Sequence, residues 1–272
     1  MKKNLLCFAF ALLSTISFAQ QIPFKIQKSD VFKDEYKHSS ISLVEDDGKG
    51  GVIIIRSYAG GAFSSGIGYY FEHYDADLKL IKDYEYELKY SKAIRQSSVL
   101  GVIMDDDKVN IIDFVYEKDQ KAYICSALSS NIDNFNFTKT ELFRINSEEI
   151  KQFGFFSSAG FDGDSGANMI INEDKSAFAI TVDIKDKNAE THRLFLFDKS
   201  LNKNIDHTFK RDIKDKKFKY ENIDVSKDGK TIYLLGKVYT DEKKNKKEGG
   251  KYQYELTRVT NNSEKTQVFD TE

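Results

Sequence analysis

A single pattern, met four times along the chain, limits its folding more than any other feature: an apolar stretch, a short acidic turn and a second apolar stretch. Leu43 and Val44 lead through Asp46-Asp47-Gly48-Lys49 into the apolar run 52–55. Val102-Ile103-Met104 leads through Asp105-Asp106-Asp107-Lys108 into Ile111 and Ile112. Met169-Ile170-Ile171 leads through Asn172-Glu173-Asp174-Lys175 into Phe178-Ala179-Ile180. Ile223 and Val225 lead through Ser226-Lys227-Asp228-Gly229-Lys230 into 232–235. Asp47, Asp107, Asp174 and Asp228 mark the copies, spaced by 60, 67 and 54 residues. Apolar runs this short, bounded by turn residues, read as strands. Asp-Gly in the first and last copies is the strongest short hairpin signal, because glycine accepts the positive φ such turns need. The middle copies lack that glycine and need another turn type.

A second marker follows. Tyr74-Asp75-Ala76-Asp77-Leu78 and Phe197-Asp198-Lys199-Ser200-Leu201 share aromatic-Asp-x-x-Leu, with fainter counterparts at Ser130-Asn131 and Thr260-Asn261. Each ends one extended stretch and opens another. One unit therefore reads as strand a, acidic turn, strand b, longer loop, strand c, Asp turn, strand d, which is the plan of a propeller blade. The predicted fold is all-β: a β-propeller-like array of about four four-stranded antiparallel blades, incomplete as a ring. An irregular β-sandwich is the alternative. The expected units are 37–90, 91–145, 146–213 and 214–272, preceded by a signal peptide at 1–19 and an extension at 20–36. No helical periodicity competes with this reading in the mature chain.

Ser226-Lys227-Asp228-Gly229-Lys230-Thr231-Ile232-Tyr233 resembles the S-x-D-G-K hairpin of TolB-like and lactonase-like propeller repeats, and the whole chain resembles exported bacterial proteins. The resemblance implies a fold, not an activity, because such propellers serve as scaffolds, binders and enzymes. The chain has no Trp. It therefore carries neither the Trp-Asp of WD40 repeats, nor the kelch tryptophan, nor the aromatic end of a sialidase Asp-box. Four blades are few for a ring of the resembled type, so further chain or a partner is expected to complete it.

Lys2 and Lys3, the apolar run 5–13 and the small residues of Ser17-Phe18-Ala19 form a three-part secretory signal with cleavage after Ala19. The apolar run is too short to span a bilayer. Export to the periplasm, the outer membrane or the medium is expected, with no transmembrane segment. Cleavage leaves Cys125 as the single thiol, and its apolar surroundings in sequence predict a packed residue rather than a nucleophile. With 41 basic against 43 acidic residues the chain is not a general nucleic-acid binder. The lysine-rich stretches 210–219 and 243–251 are interleaved with acids and read as solvated loops.

Several motifs invite chemistry. Gly163-Asp164-Ser165-Gly166 matches the core around a trypsin-like serine nucleophile. Ala167-Asn168 follows in place of Gly-Pro, however, and none of the four histidines sits in a matching motif. Asp162, Asp164 and Asn168 offer oxygen ligands to calcium, but Gly166 stands where a further ligand is needed. No cofactor is expected, calcium at this loop being the one alternative. Glu72, His73, Asp75 and Asp77 crowd one strand end, where the Asp turn interrupts the alternation a metal site needs. No catalytic residue and no metal ligand is therefore assigned. The long loops 57–68, 145–167 and 239–250 fall at one end of a blade array. The binding candidates there are Tyr58, Phe63, Ser64, Ser65, Phe161, Asp162, Asp164 and Ser165, because function concentrates in loops held by a rigid scaffold. The expected function is an exported, non-catalytic binding or scaffold protein with a protein or glycan partner. A propeller hydrolase or lactonase acting on an extracellular ester or glycan is the alternative.

Overall fold

Three of the four acidic turns are built by one short polar side chain near the start of the turn. Asp47 Oδ1 accepts the Gly51 N–H at 2.7 Å, Asn172 Oδ1 accepts the Ala177 N–H at 2.9 Å, and Ser226 Oγ accepts the Thr231 N–H at 3.0 Å. In all three turns the same residue also donates its own N–H across the turn, to Gly51, Ala177 and Thr231. A short polar side chain that mimics a backbone acceptor is what favours Asp, Asn and Ser here. The second copy uses a tighter turn, Asp105 pairing directly with Lys108 while Asp106 takes φ 53°. The aromatic-Asp-x-x-Leu marker is also conformational. Leu78 and Leu201 sit at φ 60° and 70°, and their N–H groups donate back to the carbonyls of Asp75 and Asp198. Phe135, at φ 51°, is likewise left-handed after Asn131, its N–H donating four residues back to the Asn131 carbonyl.

The computed structural model describes residues 28, 30, 39–59, 67–87, 98–150, 166–186, 188–214, 217–240 and 250–270. These turns join sixteen described strands into four antiparallel meanders. The first holds β1 (Ser39–Asp46), β2 (Val52–Ala59), β3 (Ile67–Tyr74) and β4 (Leu80–Glu87). The second holds β5 (Ser98–Asp105), β6 (Lys108–Glu117), β7 (Ala122–Asn131) and β8 (Thr138–Asn146). The third holds β9 (Ala167–Ile171), β10 (Ala177–Ile184), β11 (Glu190–Asp198) and β12 (Lys203–Arg211). The fourth holds β13 (Phe218–Val225), β14 (Ile232–Tyr239), β15 (Tyr252–Thr260) and β16 (Ser263–Asp270). Strand order within every sheet follows the chain, and no α-helix occurs among the described residues.

The sheets stack face to face in chain order. Ile53, Ile55 and Phe71 of the first pack with Val109, Ile111 and Phe135 of the second. Ile112, Phe114 and Phe143 pack with Phe178, Phe195 and Phe197 of the third, the Phe143 and Phe195 rings lying 3.8 Å apart and nearly parallel. Ala179, Leu194 and Phe209 pack with Phe218, Ile232 and Leu234 of the fourth. The middle sheets are therefore covered on both faces, which explains why β6 and β10 are buried over most of their length instead of alternating between buried and exposed. Among the described residues no such cluster joins the fourth sheet to the first. The array is propeller-like, with four blades, and open.

Candidate functional site

In a meander without crossovers, the connections b–c and d–a leave one end of the sheet and the connections a–b and c–d leave the other. At the second end every connection is short: 47–51, 75–79, 106–107, 132–137, 172–176, 199–202, 226–231 and 261–262. The first end carries the longer ones: 60–66, 88–97, 147–166 and 240–251. The short end is tied by side chains between sheets. His73 Nε2 lies 2.9 Å from Asp47 Oδ2 and its Nδ1 3.8 Å from Asp133 of the second sheet. Lys199 bonds Asp105 and Asp106 at 3.1 and 2.9 Å, and Lys175 pairs with Glu45. A cleft of about 160 Å³ opens beside that last pair, between Val102–Met104 and Ile171–Glu173.

Of the binding candidates, Phe63, Ser64, Ser65, Phe161, Asp162, Asp164 and Ser165 lie outside the described residues. Tyr58 is described, and it stands in β2, 2% exposed. Its hydroxyl donates to Glu85 at 2.6 Å and its ring stacks on Tyr70 at 4.6 Å. Burial first, then Glu85, pushes that hydroxyl far above the usual phenol range. The acidic crowd at the end of β3 is dispersed. Glu72 pairs with Arg56, His73 with Asp47, and Asp75 accepts the N–H groups of Asp77 and Lys79 within its own turn. Cys125 is fully buried.

One cluster at the long-loop end was not legible in the sequence. Asp183, near the end of β10, is the cross-strand partner of His192 in β11, and Glu190 lies two residues before His192 on the same face. His192 Nε2 stands 3.0 Å from Glu190 Oε1, and its Nδ1 stands 3.6 Å from Asp183 Oδ1. Among the described residues this is the one group of three His, Cys, Asp or Glu side chains whose ligand atoms lie within 4.8 Å of one another. Glu190 and His192 are buried, at 5% exposure each. The face belongs to the seam between the third and fourth sheets. The rings of Phe209, Tyr220 and Phe218 stand 6.1, 5.5 and 6.5 Å from the imidazole, and Arg211 crosses the seam to Glu255 at 2.8 and 3.0 Å. Asn168, in β9, lies on the same face opposite Thr181. The backbone holds this corner too: Asp183 N–H donates to Gly166 and Lys185 N–H to Glu149. Alternation alone puts Glu190 with His192. Bringing Asp183 to them depends on the length of the hairpin turn, which the sequence does not announce.

No family model matches the chain, and no curated protein matches it. Among solved structures it is similar to the β-propeller domain of the Trilobed protease from Pyrococcus furiosus, reported with an open velcro topology. That match has 9% identity and a TM-score of 0.43, covering 87% of this chain and 59% of that one. Prolyl oligopeptidase B from Galerina marginata is similar at 12% identity and a TM-score of 0.35, over 87% of this chain and 35% of that one. Hydrazine synthase from Kuenenia stuttgartiensis follows at 10% identity and a TM-score of 0.32, over 83% and 64%. The chain thus spans less than two thirds of each. Its blade architecture rests on its own sheet order and packing.

Proposed function

We propose that the chain is an exported binding or scaffold module of the bacterial cell envelope, non-catalytic, which takes a protein or glycan partner on its long-loop end. The observation that carries this reading is the asymmetry of the connections. One end is short, capped by its own side chains and tied between sheets, while the other carries the long connections 60–66, 88–97, 147–166 and 240–251. A rigid scaffold that concentrates its variable segments at one end is the usual arrangement for recognition by loops. The three-part N-terminal segment supports export, and the S-x-D-G-K turn at 226–230 supports kinship with TolB-like propellers.

The test uses the mature chain and its Phe63→Ala/Phe161→Ala double variant. Cosedimentation with bacterial envelope fragments is measured beside turnover of p-nitrophenyl esters and γ-lactones. The expected result is saturable sedimentation, at least roughly tenfold weaker in the double variant at unchanged melting temperature, as for loss of aromatic anchors, with no turnover. Equal sedimentation of both proteins overturns the loop-end assignment. Turnover above the blank establishes the hydrolase or lactonase reading instead.

A further inference from the structure

We propose that Asp183, Glu190 and His192 hold a divalent transition-metal ion in the seam between the third and fourth sheets. This proposal does not depend on the loop anchors above binding anything.

The decisive observation is His192. Its side chain is only 7% exposed, and its Nε2 makes no hydrogen bond although Glu190 Oε1 is 3.0 Å away. Metal–nitrogen and metal–oxygen distances of about 2.1 Å are usual for Zn²⁺. An ion at that distance from both atoms subtends about 90° across the 3.0 Å gap. The pair makes no hydrogen bond to each other and is placed to share a cation. Asp183 supplies the third donor: one ligand atom of each of the three residues lies within 4.8 Å of the others, and Asp183 Oδ1 is 3.6 Å from the second ring nitrogen, Nδ1. Its side chain is 33% exposed, so it forms the open edge through which an ion and its remaining water ligands enter.

The rings of Phe209, Phe218 and Tyr220 stand around the imidazole and form an apolar wall behind the donors. One imidazole nitrogen with two carboxylates suits Zn²⁺ or Mn²⁺; Ca²⁺ takes oxygen ligands and would leave His192 outside its shell.

The experiment titrates Zn²⁺ alone into the chelator-stripped mature chain by calorimetry. The variants are His192→Gln, Glu190→Gln and Asp183→Asn, each with its melting temperature. The expected result is one saturable site in the wild-type protein. Binding should be at least about 100-fold weaker in His192→Gln, since loss of an outer partner alone costs 10–100-fold. Zn²⁺ should raise the melting temperature of the wild-type protein only, and millimolar Ca²⁺ should not displace it. Should His192→Gln fold poorly, Asp183→Asn, at the exposed edge, decides by itself. Absence of saturable binding in the wild type, or affinity undiminished in Asp183→Asn, overturns the site. Displacement of Zn²⁺ by Ca²⁺ removes His192 from the ligand set.

Discussion

Replacing Asn172 by Ala tests whether the repeated turns bind blades to one another as well as shaping hairpins. Asn172 is 2% exposed. Its Oδ1 accepts the buried Ala177 N–H at 2.9 Å, and its Nδ2 donates across the seam to the carbonyls of Ser226 and Lys227 at 3.3 and 3.2 Å. Removing the side chain leaves the Ala177 N–H without its side-chain acceptor, a penalty of about 1–3 kcal/mol, and loses bonds to the fourth sheet worth about 1 kcal/mol. The Ser226 carbonyl keeps the Gly229 N–H as a partner, so its loss is smaller. A total near 3 kcal/mol lowers the melting temperature by roughly 6–12 °C in a chain of this size. Asn172→Asp separates the two contributions. It keeps the acceptor for Ala177 but turns an anionic oxygen towards two carbonyls, so its carboxyl is held neutral and its folded-state pKa lies above the unfolded value. That variant is near wild type below the unfolded carboxylate value of about 3.9 and loses stability as pH rises through its folded pKa. The Ala deficit has no such dependence. Thermal unfolding followed by circular dichroism at pH 4 and pH 7, read as the difference from wild type, decides. An Ala variant within about 1 °C of wild type, or an Asp variant whose deficit ignores pH, refutes the reasoning.

Three further outcomes follow from the buried groups. Burial raises the Asp47 carboxyl, but bonds from His73 and the Lys49 and Gly51 N–H groups prevail and hold it below the usual range. Its stabilisation is present above about pH 4 and lost as pH falls, so urea midpoints of Asp47→Asn should fall less than wild type between pH 5 and 3. Asp113 is the opposite case: burial raises it more than Lys139, at 3.6 Å, lowers it. Ionising it costs stability as pH rises, so Asp113→Asn should gain on wild type from pH 4 to pH 7 in the same assay, and a constant difference would contradict this. Burial pushes the Cys125 thiol well above its ordinary value. Iodoacetamide should leave it unmodified in native protein and label it in guanidinium, as peptide masses would show; native labelling faster than unfolding contradicts its burial.

The hairpins were legible because their information is local. An Asp, Asn or Ser beginning a turn supplies an acceptor to a backbone N–H four or five residues on, and that bond is written in adjacent residues. The Leu of aromatic-Asp-x-x-Leu was likewise visible, although only the structure shows it as the left-handed residue of the c–d turn. The backbone irregularities were not visible. Register shifts between Ile41 and Leu43, Val99 and Gly101, and Tyr220 and Asn222 recur in the a-strands of the first, second and fourth sheets without a shared residue type.

Sequence by itself determined the strand-turn-strand units and their antiparallel order, because turn chemistry and short-range apolar patterning act within a few residues. It also determined which ends of the sheets carry the long connections, since that follows from a meander alone. Tertiary structure decided what each face of a strand meets. In β6, Val109 and Ile111 go to the first sheet while Ile112 and Phe114 go to the third, and both pairs read simply as apolar. It decided too that Tyr58 is buried within a sheet, and that Asp183 stands opposite His192. Such pairings depend on register and on the neighbouring blade, and these are set by packing between residues far apart in the chain.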